Sequence, residues 1–152
     1  MVLNIPGKPD GTIDNKEIAV LDAVTAWMQL NGEAIYDTRP WKVYGEGPGK
    51  VDTREFKGDS IKNLGVRDIR FTRNKANTVI YAMLLGWPAG EFVVESLGTA
   101  SPPQPGKIAE VRLLGTEEKV KWTQSADGLR VELPLHYHPT ADYAAALKIL
   151  LT

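Results

Sequence analysis

Five carboxylates in the first third of the chain stand out, Asp10, Asp14, Glu33, Asp37 and Glu46, most of them beside glycine or proline. Two carboxyls held close together can divide acid–base work, one staying ionised while its neighbour keeps a proton. Asp10 and Glu46 are the catalytic candidates in this set, Glu46 because it stands between Gly45 and Gly47. A structural reading fits each position better. Asp10 precedes Gly11 in a turn, Asp14 has the placement of a helix N-cap, and Glu33 follows a helix C-cap. His136 and His138 flank Tyr137 and share one side if that segment is extended. A zinc site needs a third protein ligand, and none stands nearby in sequence, so solvated loop histidines are expected and no metal or cofactor is assigned. Gly45-Glu46-Gly47-Pro48-Gly49-Lys50 looks superficially like a phosphate loop but lacks the spacing and the following helix. Trp41, Trp87 and Trp122 could present rings to a sugar or fill a core or interface.

These residues must be positioned by a modest chain. At 152 residues it suits one domain or one domain with an appendage, and it is long enough to bury a real core. A net charge of −1 gives no reason to expect nucleic acid or an anionic membrane as partner. The absence of cysteine excludes disulfides and thiolate metal sites. Neither a signal peptide nor a transmembrane run is visible, which leaves the compartment undetermined.

Val2 to Ile5 is strand-like and ends at Pro6-Gly7. Asp14 followed by Glu17 has capping-box spacing and opens a helix expected to reach about Leu30, with Gly32 as its C′ residue. Ile18, Leu21, Val24 and Met28 line one side of it, and Val20, Trp27 and Leu30 widen the apolar stripe. A helix so apolar around its circumference expects cover on more than one side. Residues 31–48, rich in Gly, Pro, Tyr and Trp, read as an ordered loop pinned by its rings, with Arg39 as an anchor bonding loop carbonyls or stacking on a ring. Seven β-rich runs follow, at 68–73, 78–85, 92–97, 108–114, 120–124, 129–133 and 144–151. Residues 74–77 and 125–128 have hairpin composition, and 101–106 should cross between sheets. The run 144–151 is rich enough in alanine and leucine to pass for a helix; its position favours a strand. The expected fold is mainly β: a seven-stranded antiparallel sandwich preceded by one strand and one helix.

Four blocks carry a resemblance. They are Leu3-Asn4-Ile5-Pro6-Gly7-Lys8-Pro9-Asp10-Gly11; the run 31–48; Asp68-Ile69-Arg70-Phe71-Thr72 with Leu85-Gly86-Trp87-Pro88; and Val111-Arg112-Leu113-Leu114-Gly115 with Lys121-Trp122-Thr123-Gln124. In this order and spacing the chain resembles the C-terminal portion of family 29 glycoside hydrolases, the alpha-L-fucosidases. The resemblance implies three parts: 1–31 as the final β/α unit of a catalytic (β/α)8 barrel, 32–67 as signature loop and linker, and 68–152 as the C-terminal β-sandwich. It implies a parent enzyme that hydrolyses terminal alpha-L-fucosyl linkages of glycans with retention and without a metal. Retaining glycosidases set two carboxyls about 5–5.5 Å apart. By resemblance, the nucleophile and the acid/base lie on barrel strands with no counterpart before Met1, and a single β/α unit cannot close a barrel of eight. The chain is therefore expected to act as a structural or docking domain. Two alternatives stand beside this, a carbohydrate-binding sandwich and a compact or complementing fucosidase. A homodimer, or docking onto a barrel chain through Ile18, Leu21, Trp27 and Met28, is expected from the uncovered helix.

Overall fold

The computed structural model describes residues 4–49, 64–88, 90–102, 104–134 and 144–152. One helix, α1 (Asn15–Asn31), precedes eight strands: β1 (Thr38–Glu46), β2 (Ile69–Asn74), β3 (Val79–Leu84), β4 (Glu91–Val94), β5 (Ile108–Leu113), β6 (Lys121–Gln124), β7 (Leu129–Glu132) and β8 (Ala145–Leu151). The strands form two antiparallel sheets, of five strands in the order β1-β2-β3-β8-β5 and of three in the order β4-β7-β6.

Side-chain alternation assigns the faces. On β2, Ile69 and Phe71 point inward, and on β7 Leu129 and Val131 do so while Arg130 is exposed. These meet Ile80, Ala82 and Leu84 of β3 and Leu147 and Ile149 of β8 in one core between the sheets. Trp41 meets Phe71 edge-on there, ring centroids 5.3 Å apart. The central strands β3 and β8 are buried on both sides, because Val79, Tyr81 and Ala146 form a second cluster with Ala34 on the outer face of the larger sheet. Cover on two faces turns alternation into an almost continuous apolar run. That explains why residues 144–151 resemble a helix in composition and yet form a strand.

Asp14 caps α1 as expected, but its carboxylate accepts from the Lys16 N–H (2.9 Å), one position before the usual capping-box donor. At the other end Gly32 keeps a right-handed φ of −58° and continues into a short 3-10 turn, Gly32–Ala34. The left-handed residue lies further on, at Asp37 with φ 59°. The 31–48 stretch also departs from the loop reading, since Thr38–Glu46 pairs with β2 as an edge strand. Its ladder is irregular between Pro40 and Gly45. An edge position tolerates Pro40, whose missing N–H costs no central hydrogen bond. Beyond β1 the chain turns at Gly47, φ +118°, where an added Cβ would come within 2.5 Å of the Arg67 carbonyl. Buried Asp68 fixes that turn, accepting N–H bonds from Gly49 (2.7 Å) and Gly65 (2.8 Å). Of the expected strand at residues 2–5, Asn4 and Ile5 lie outside regular structure and the rest falls outside the described residues. Only a single bridge, Gly7 to Ile13, precedes α1 among the described residues.

The core predicts its own sensitivity. Leu147 is fully buried on the strand that joins both halves of the larger sheet. Leu147→Ala is expected to lower unfolding free energy by about 2–5 kcal/mol in urea titrations, and half-buried Leu151→Ala by clearly less.

Candidate functional site

The face that matters lies outside the sandwich, where α1 and its 3-10 turn meet the larger sheet. Three contacts make the attachment. The Trp27 indole N–H donates to the Ala144 carbonyl (2.9 Å) at the start of β8, and the Thr72 hydroxyl donates to the Ala34 carbonyl (2.7 Å). Lys148 of β8 pairs with Glu33 at 2.9 Å. Asn31 is buried; its amide donates to the Trp27 carbonyl (3.1 Å). All three helix-side anchors, Trp27, Glu33 and Ala34, lie at the C-terminal end of α1 or just after it. Ahead of them the helix presents Ile18, Val20, Val24 and Leu30 to solvent, between 36% and 48% exposed. Leu21, Trp27 and Met28, expected to share that patch with Ile18, are half-buried instead.

The carboxylates singled out in the sequence are each engaged locally. Asp10 accepts from the Thr12 N–H (3.0 Å) and hydroxyl (2.7 Å), bonds that hold it below the usual carboxylate range. Asp14 caps α1 and lies 3.5 Å from Lys8. Asp37 bonds Lys75, whose hydrogen bond and charge lower its pKa. Glu46, at the end of β1, receives the N–H groups of Glu95 (2.9 Å) and Ser96 (2.7 Å). It thereby ties the edge of the larger sheet to the segment leaving β4 of the smaller one. The glycines beside it serve the close approach of backbone at this corner, not a ligand. His136 and His138 lie outside the described residues. Among the described residues no cluster of three metal-ligating side chains occurs, and no helix is long and apolar enough to cross a membrane.

Trp41 belongs to the inter-sheet core, and Trp87 and Trp122 are partly buried against it. Arg39 donates to the Thr38 carbonyl (2.9 Å), as an anchor would. Among the described residues the freely exposed rings are Tyr36 and Tyr44, 69% and 61% exposed, on either side of Trp41. The strand period carries this signal, because Tyr44 and Trp41 fall on opposite faces of a bulged edge strand.

The comparisons with known proteins agree with this geometry. Residues 62–150 match the alpha-L-fucosidase C-terminal domain. The chain belongs to that family. It is 31% identical over 134 residues to the tissue alpha-L-fucosidase of Mus musculus, covering 88% of this chain and 24% of the mouse protein. It is also 31% identical over 135 residues to the tissue alpha-L-fucosidase of Homo sapiens, with the same 88% and 24% covered. The crystal structure of the Thermotoga maritima alpha-fucosidase superposes with a TM-score of 0.69 at 25% identity, covering 98% of this chain and 30% of that one. The chain thus spans about a quarter of the length of these mammalian relatives. It corresponds to the C-terminal domain of family 29 enzymes, a unit of larger fucosidase chains.

The attachment face carries a titration of its own. Burial, then the charge of Glu33 and a hydrogen bond to it, push the Tyr81 phenol above its ordinary value. The neutral phenol is therefore favoured in the folded state. As pH rises past the ordinary phenol value the unfolded chain ionises first, and stability falls until the folded value is passed. An alkaline absorbance titration should show one of the five tyrosines ionising late. Tyr81→Phe should remove that step and soften the alkaline loss of stability, and Glu33→Gln should bring the step back toward lower pH.

Proposed function

We propose that this domain is a structural and docking unit of an alpha-L-fucosidase, and that α1 is the element joining the sandwich to the catalytic barrel. In this reading residues 1–31 are the barrel's last β/α unit, 32–67 the connecting signature and 68–152 the sandwich proper. The observation that carries it is the asymmetry of α1. Its last turn is bonded to the sheet through Trp27 and the residues after it, while Ile18, Val20 and Val24 await cover. A helix with one end seated on a sheet and apolar side chains on its free surface is built to be sandwiched between two bodies. Cleavage of terminal alpha-L-fucosyl linkages, with retention, then belongs to the barrel of the whole enzyme. The local engagement of Asp10, Asp14, Glu33, Asp37 and Glu46 supports this, since each carboxylate is already spent on a cap, a turn or an ion pair.

Two measurements test the proposal. The purified chain, assayed on an aryl alpha-L-fucoside, is expected to give no turnover above buffer; robust turnover abolished by Glu46→Gln or Asp10→Asn would sink it. In sedimentation velocity the isolated chain should associate as its concentration rises, because Ile18, Val20 and Val24 are exposed on α1 among the described residues. The double variant Val20→Glu, Val24→Glu should remain monomeric with an unchanged melting profile, whereas a wild-type chain that stays monomeric throughout would argue against a docking face there.

A further inference from the structure

At one end of the sandwich the inter-sheet core opens into a cavity of about 270 Å³. Its apolar wall is Trp41, Ile80, Pro105 and Leu151, and its polar groups are Lys42, Arg73, Asn77 and Gln104. The origin of this composition is visible in the strands. Ile69, Phe71 and Arg73 occupy alternate positions of β2, so Arg73 continues the core-facing row at the strand's end. Ile80 is its partner on β3, and Arg39 stands directly opposite it on β1. Like charges in direct cross-strand register destabilise a sheet. Neither guanidinium is bonded to a carboxylate among the described residues: Arg39 donates to the Thr38 carbonyl (2.9 Å) and Arg73 to the Asn74 carbonyl (3.2 Å). Asp37, whose charge Arg39 feels, is already bonded to Lys75. Among the described residues no acidic side chain lines the cavity.

We propose that this cavity binds a monosaccharide bearing a carboxylate. The volume is just below the ~300–1,000 Å³ that holds drug-sized ligands, which suits a single sugar ring. Half-buried Leu151, with what little of Trp41 and Pro105 is left uncovered, gives the ring's C–H groups an apolar wall. Asn77 and Gln104 have amides that both donate to and accept from hydroxyls. Arg73, with Lys42 beside it, supplies the planar fork and the added charge that a carboxylate selects. This site is separate from the α1 surface, and its test is indifferent to whether α1 docks a barrel.

The test follows amide proton–nitrogen correlation spectra of the full chain titrated with sodium D-glucuronate, and in parallel with D-glucose and with sodium acetate at equal ionic strength. Saturable shifts at Ile80, Gln104 and Leu151 are expected with glucuronate in the millimolar range, with glucose and acetate each binding about tenfold more weakly or less. Arg73→Gln should weaken glucuronate by about tenfold or more. Should Arg73→Gln perturb the fold, exposed Lys42→Gln and Gln104→Ala decide instead, each being expected to weaken glucuronate without changing the melting profile. The proposal fails if glucuronate gives no saturable shift, if glucose or acetate binds as well as glucuronate, or if the folded variants bind like the wild type.

Discussion

The larger sheet is held together by its last strand. β8 lies between β3 and β5 and pairs antiparallel with both, so the final residues of the chain complete a sheet begun more than a hundred residues earlier. Without β8 the sheet would divide into β1-β2-β3 and a lone β5, and the core would lose Leu147 and Ile149 together. β8 also receives α1, through the Ala144 carbonyl and Lys148. One strand therefore closes the core on its inner face and seats the helix on its outer face. Pairings of such sequence separation form slowly, because the loop entropy is lost before the contacts are gained. Closure of the sandwich and placement of α1 therefore both draw on β8 and the residue before it.

This coupling explains why the helix is fixed at one end. Half-buried Trp27 and buried Ala34 make specific hydrogen bonds to the sheet side, whereas the Lys148–Glu33 pair keeps a quarter or more of each side chain in water. A pair exposed to that degree contributes about 0–1 kcal/mol, so the indole and the packed 3-10 turn do the holding and the charges set the register. Among the described residues the first turns of α1, around Ile18 and Val20, have no comparable anchor.

The parts of this arrangement that follow from local chemistry can be read in the sequence, and the parts that follow from the neighbourhood cannot. The seven runs from Ile69 onward become β2 to β8, because alternation and hairpin residues are local signals. The cap at Asp14 is local as well. β1 escapes that reading because Pro40, Gly45 and Gly47 punctuate it, and only its place at a sheet edge makes such punctuation harmless. Gly32 has the composition of a left-handed helix stop, yet the buried seat of Asn31 and Ala34 carries the chain on in a tighter right-handed turn. The role of Glu46 is likewise invisible in one dimension, since its partners Glu95 and Ser96 lie about fifty positions away. Which tryptophans face inward was also undecided by composition, because all three end against one core whose register depends on β8.

The two polar features of the larger sheet differ in a way that bears on function. On the outer face Glu33 is answered by Lys148 and by the Tyr81 phenol, so the charge beneath α1 is internally balanced and asks for nothing further. At the cavity end Arg39 and Arg73 stand in direct cross-strand register, and among the described residues neither guanidinium is bonded to a carboxylate. A sheet keeps balanced charge where it must pack against its own chain, since an unpaired charge there would be costly to bury. Unbalanced charge persists only where solvent or a counter-ion reaches it. The contrast separates the balanced charge beneath α1 from the basic groups lining the cavity, on different parts of the same sheet.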